Sequence, residues 1–230
     1  MIKKTLLLPL AILAAALPAH ALDTLSIGHA DVGIAFDLGA FDLHVHDEEN
    51  DVEYAPNAVL LQVNPQAYEL IPNNPNFAFL GTVGVDYIWR LPAVENVDLL
   101  YLGIGSEEIT SGTLDGDVFT FSLISVTGPG NFTLYQDGVT PTVIFNSGNG
   151  ITGADSVTLP TGGHAHYNWT FSEAGTYEIA FKADGLDGGV PVTETATYTF
   201  TVVPEPSTAI FGAIGVAALA FRRQRRAQLA

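Results

Sequence analysis

Between Leu22 and Val203 the apolar residues recur at every second position, in short segments cut by Gly, Pro, Asn and Asp, and no 3.6-residue repeat is sustained. Alternation of this kind is visible over Val32–Phe36, Phe41–His46, Val85–Trp89, Val118–Val126, Phe132–Tyr135, His166–Phe171, Tyr177–Ala183 and Thr195–Val203. Turn material such as Asn73-Asn74-Pro75-Asn76 and Thr127-Gly128-Pro129-Gly130 separates them. Thr, Val, Tyr and Phe fill the segments, as a pleated and half-buried surface requires. The pattern predicts an all-β body, a single Ig-like or jelly-roll-type β-sandwich spanning residues 22–203. The chain has no cysteine, which excludes disulfide staples, thiolate metal sites and a cysteine nucleophile.

The ends read differently. Met1-Ile2-Lys3-Lys4, the apolar run Thr5–Leu17 and Ala19-His20-Ala21 have the three parts of a secretory signal peptide, so residues 1–21 are expected to form a signal helix that is removed on export. Residues 204–230 hold a second apolar run, Ala209–Phe221, followed by Arg222-Arg223-Gln224-Arg225-Arg226. As a short helix this run would reach ~20 Å, against ~30 Å for a hydrocarbon core. Its arginines would stay on the cytoplasmic side of the inner membrane while the body passes outside.

With the ends set aside, the charge is one-sided. Of the 8 Lys and Arg residues only Arg90 and Lys182 lie between Leu22 and Val203, against 24 carboxylates, for a net charge of −22. Such a field favours cations and disfavours nucleic acid, whose binding depends on Lys and Arg.

One hairpin can be registered from the letters alone. A turn at Asp37-Leu38-Gly39-Ala40 sets Phe36 against Phe41, Ile34 against Leu43 and Val32 against Val45, all on one face. Alternation then sends His29, Asp31, His44 and His46 to the opposite face. In Gly162–Phe171 it sends Tyr167, Trp169 and Phe171 one way, and His164, His166 and Asn168 the other. Two His-x-His pairs with His29 and Asp31 offer enough donors for zinc or copper(II), because i, i+2 spacing on a strand points both rings the same way. Imidazole ligation would weaken below about pH 6. The same residues equally fit histidines on a solvated strand face, and nothing in the sequence brings the two segments together. Calcium fits less well: Asp47-Glu48-Glu49-Asn50-Asp51, Asp115-Gly116-Asp117 and Asp184–Gly188 are oxygen-rich but lack EF-hand spacing.

No nucleophile elbow, zincin helix or Walker lysine is present. Gly148–Gly153 matches the dinucleotide pattern by letter, but no helical pattern follows it. Trp89 and Trp169 alternate with apolar residues and read as core rather than as sugar platforms. The expectation is a protein that is not an enzyme.

Val203-Pro204-Glu205-Pro206-Ser207, the apolar run and the terminal arginines together resemble the PEP-CTERM sorting signal. That resemblance implies an exosortase as partner, transient contact with the inner membrane, a cell-surface or extracellular destination, and exopolysaccharide as a matrix partner. A second resemblance, to the choice-of-anchor M domain, is carried by Gly28-His29-Ala30-Asp31-Val32, Ile88-Trp89-Arg90-Leu91-Pro92, the stretch from Gly128-Pro129-Gly130 to His164–Phe171, and Glu173-Ala174-Gly175-Thr176-Tyr177. It implies an exported surface domain, related to proteins that accompany transporters resembling zinc and manganese importers.

Overall fold

The computed structural model describes residues 22–205, so the expected signal helix and C-terminal apolar helix lie outside the described residues. Within them the fold is all-β and sandwich-like, with three sheets and helical structure only as short 3-10 turns. A six-stranded sheet orders β1 (Asp23–Leu25), β5 (Val59–Val63), β16 (Val190–Val202), β15 (Gly175–Asp187), β9 (Val118–Thr127) and β12 (Ser156–Pro160). A five-stranded sheet orders β11 (Thr142–Asn146), β10 (Phe132–Gln136), β14 (Asn168–Phe171), β7 (Tyr87–Leu91) and β6 (Tyr68–Leu70). The third, also five-stranded, orders β13 (His164–His166), β8 (Leu100–Gly105), β2 (Gly28–Asp37), β3 (Ala40–Asp47) and β4 (Val52–Tyr54).

The six-stranded sheet packs against both of the others. Phe119 of β9 meets Phe41 of β3 at 6.0 Å between ring centroids, and Phe200 of β16 meets Trp169 at 5.9 Å and Phe171 at 5.3 Å. Ring pairs at these separations and tilts add to the area they bury. The Trp169 indole also donates to the Leu102 carbonyl (3.0 Å), which joins β14 to β8 across sheets. Both tryptophans are buried, in agreement with their alternation in the sequence.

The hairpin β2–β3 has the register read from the sequence. Phe36 pairs with Phe41, Ile34 with Leu43 and Val32 with Val45, and Ile34, Leu43, Val32 and Val45 are buried in the core. Four strands of four or more residues, β5, β8, β11 and β12, lie outside the alternating segments named above, although Ser156-Val157-Thr158-Leu159 of β12 does alternate. Their reasons differ; for β8 it is Leu100-Tyr101-Leu102-Gly103-Ile104-Gly105, in which glycines occupy positions where alternation expects polar side chains.

One further expectation is corrected. His164, His166 and Asn168 do not share a face, because the chain changes sheets at Tyr167. Asn168 is fully buried, where its amide oxygen accepts from Arg90 (3.1 Å) and from the Ala93 amide (3.2 Å).

The β2–β3 turn holds both central residues at positive φ, Leu38 at 50° and Gly39 at 82°. This is the type I′ geometry that two-residue hairpins favour, and it strains a leucine that packs on nothing, being 97% exposed. Leu38→Asn should therefore raise stability by about 1 kcal/mol, read as a higher denaturant midpoint at unchanged m.

Candidate metal centre

The site begins with β8, which lies between β2 and β13. It runs parallel to β2, with Asp31 opposite Gly103 and Gly33 opposite Gly105, and antiparallel to β13, with His166 opposite Gly103 and His164 opposite Gly105. One row across the sheet therefore reads His166, Gly103, Asp31, His46, and the next reads His164, Gly105, Gly33, His44. All five histidines after His20 stand on the outer face of this sheet.

That face is not simply solvated. Glycines at the outward positions of β8 and β2 leave a trough in which neighbouring side chains lie flat. A Cβ at Gly103 would sit 2.1 Å from Asp31 Oδ1, and one at Gly33 would sit 2.1 Å from His44 Nε2. Neither glycine has positive φ, so space rather than backbone conformation demands them. Asp31 is consequently 1% exposed and His44 4% exposed.

Four of the six residues singled out in the sequence converge. Donor atoms of His29, Asp31, His164 and His166 all lie within 4.8 Å of one another. Asp31 Oδ1 is 3.2 Å from His164 Nε2 and 3.6 Å from His29 Nε2. The His29 ring centroid lies 5.2 Å from that of His164 and 5.0 Å from that of His166, and the Tyr101 ring stacks on His166 at 3.6 Å. His44 and His46 do not join them. His46 turns to Glu48 (3.0 Å) and Asp51 (3.6 Å) of the loop that follows it, while His44 lies beside Glu53 and Glu108.

Burial sets the electrostatics of the four-residue cluster. It pushes the Asp31 carboxyl up to about 7, with Glu48 and Glu107 adding to the rise and His164 opposing it. It pushes His166 down to about 4, helped by His164 and His29, and lowers His29 as well. His29 Nε2, His166 Nδ1 and both Asp31 oxygens are buried without a hydrogen-bond partner among the described residues. Each such atom costs ~1–3 kcal/mol unless something satisfies it. Three imidazole nitrogens and a carboxylate fit zinc or copper(II). Tetrahedral zinc needs donors about 3.3 Å apart for bonds of about 2.0–2.1 Å, so a modest closing of the cluster suffices. His164 turns its other nitrogen, Nδ1, to Glu107, the carboxylate–histidine pairing that orients metal ligands.

Glu53, Glu107 and Glu108 escaped the sequence reading. The usable signal was Glu107-Glu108 one residue after Gly103-Ile104-Gly105, an acidic pair following outward glycines. The acidic loops weighed for calcium are occupied otherwise. Asp47 accepts from the Glu49 and Asn50 amides, and Asp115 from the Gly188 and Gly189 amides, which closes turns.

Gly103→Ala should drive Asp31 out of the trough. We expect it to lower stability by about 1–3 kcal/mol despite the entropic gain from losing a glycine. Gly153→Ala, where a Cβ meets nothing within 4 Å, should leave the denaturant midpoint unchanged or higher.

A family model for the PEP-CTERM protein-sorting motif matches residues 202–226. This motif implies export and sorting to the cell surface, with an exosortase as the enzyme that recognises it. No curated protein and no solved structure matches the chain, and the likeness to the choice-of-anchor M domain rests on the residues quoted for it alone. Among the described residues no helix is long and apolar enough to cross a membrane.

Proposed function

We propose that the β body is a non-enzymatic metal-binding module of an exported surface protein, holding zinc or copper(II) through His29, Asp31, His164 and His166. The observation that carries this reading is Asp31, an acidic side chain 1% exposed whose only cationic neighbours among the described residues are imidazoles, with Glu48 and Glu107 adding negative charge beside it. Buried acids are almost always paired or bound to a cation. The two cations of the body are committed elsewhere: Arg90 forks onto Glu69 (2.6 and 2.9 Å) and Lys182 pairs with Asp184 (2.8 Å). A divalent ion would satisfy Asp31 and the unpartnered ring nitrogens together.

Four protein donors fill a tetrahedral shell, the arrangement of binding and structural sites, whereas catalytic zinc keeps a position open. Three nitrogens in four donors disfavour calcium, which takes oxygen. The side chains of His29 and His164 are 30% and 27% exposed, so an ion can enter from solvent. An exopolysaccharide ligand, the other reading that a sorting tail and aromatic residues invite, has less support because Trp89 and Trp169 are spent on the core.

Full-length protein, stripped of metal and titrated with zinc and copper(II), should bind more tightly than about 1 mM, and His164→Ala with His166→Ala should abolish binding at this cluster. Affinity no better than that, or affinity indifferent to the double variant, would overturn the proposal. The pH dependence has a definite sign. Asp31 holds its proton up to about pH 7 in the metal-free protein, whereas His166 is neutral down to about 4. Binding must expel the Asp31 proton, so the logarithm of the association constant should climb by about 1 per pH unit up to about pH 7 and then level off. Asp31→Asn should weaken binding and remove that part of the slope.

A further inference from the structure

The residues of the outer face that the first cluster leaves unused form a cluster of their own. Donor atoms of His44, Glu53 and Glu108 lie within 4.8 Å of one another. His44 stands on β3 opposite Gly33 of β2, and its ring lies across the space that a Gly33 side chain would fill. Gly33 is two residues beyond Asp31 on the same strand, which places the two clusters about 7 Å apart along it.

Glutamates on a surface are no site by themselves, and His44 supplies the second observation. Its side chain is 5% exposed, and neither ring nitrogen has a hydrogen-bond partner among the described residues. Nε2 points at Glu108 Oε1 from 3.1 Å without the alignment of a hydrogen bond. The His44 backbone is held from behind, where its carbonyl accepts from the buried Tyr198 hydroxyl (3.2 Å), so the ring has a rigid base.

Glu108 is equally well placed. The turn after β8 folds back over the outer face and is pinned at both ends. Ser106 Oγ donates to the Pro160 (2.9 Å) or Gly163 (3.0 Å) carbonyl, and the Ser106 amide donates to Gly163 (2.8 Å). Ile109 is fully buried, and its amide closes the turn onto the Ser106 carbonyl (3.0 Å). Between these anchors the two glutamates diverge, Glu107 toward His164 and Glu108 toward His44. Glu53 comes from β4, the neighbour of β3.

We propose that His44, Glu53 and Glu108 form a second divalent-cation site, separate from the first and taking a transition ion such as zinc. One imidazole and two carboxylates make it harder than the first site, and three protein donors leave it room for water. It therefore binds zinc more weakly than the first cluster does. The inference does not rest on the first site, since it uses none of its residues.

Equilibrium dialysis of the metal-stripped full-length protein against zinc tests it. The expected stoichiometry is two ions per chain, falling to one in Glu53→Gln/Glu108→Gln and to one in His164→Ala/His166→Ala. The glutamines keep the shape of exposed side chains, so that variant does not depend on removing the buried His44; His44→Ala should agree with it where it folds. A single zinc lost with His164/His166 and indifferent to Glu53/Glu108 would overturn this inference and leave the first site standing. A single zinc lost with Glu53/Glu108 and indifferent to His164/His166 would support it while removing the first. Two ions retained in Glu53→Gln/Glu108→Gln, or no zinc bound at all, would overturn it.

Discussion

The outer face of the β13–β8–β2–β3–β4 sheet depends on what its central strands lack. Gly103 and Gly105 on β8 and Gly33 on β2 carry no side chains at positions that point outward, and the trough they leave lets Asp31 and His44 lie flat against the backbone. Ordinary strand residues there would lift both groups into solvent, where a carboxylate and an imidazole have no need of partners. Pressed into the trough, they are desolvated, and their hydrogen-bonding capacity is left unfilled among the described residues. The glycines weaken β8 as a strand, and its position between two neighbours compensates by giving it ladders on both edges.

Charge acts on the same place. The body carries 24 carboxylates and two basic side chains, and both bases are engaged by carboxylates away from the outer face. Nothing cationic except imidazole faces Asp31, so burial holds its proton on and keeps the His29 and His166 rings toward their neutral forms. Neutral imidazoles beside a protonated carboxyl group are the state from which the proposed cation would bind. A protein routed to the cell surface by its C-terminal motif would meet such ions in its medium.

Legibility in the sequence followed the strength of alternation. The β2–β3 hairpin could be registered by hand because six apolar residues on one face leave a single acceptable pairing around Leu38-Gly39, and its polar positions carried His29, Asp31, His44 and His46 to the correct side. The same rule failed at Tyr167. Period two continues through His164–Phe171, yet the chain passes from an edge strand of one sheet into the interior of another, and alternation has no signal for a change of sheet. It also failed at β8, whose glycines erase the polar half of the pattern. Glu107 and Glu108 were hidden for a related reason: their role depends on a turn held by Ser106 and Ile109 folding back over a strand that had not been recognised.

What the sequence determined by itself is therefore local and compositional. Period-two runs and turn residues specify an all-β body, the C-terminal segment carries the sorting motif, and the residue types give a strongly acidic body whose histidines fall in two short segments. The tertiary structure alone decided which donors meet. His29 and Asp31 lie more than a hundred residues from His164 and His166, and only the insertion of β8 between their strands sets them side by side while leaving His44 to Glu53 and Glu108. Contacts over such separations are chosen by sheet order, and sheet order follows from how whole strands bury their apolar faces, information that no short stretch of sequence contains.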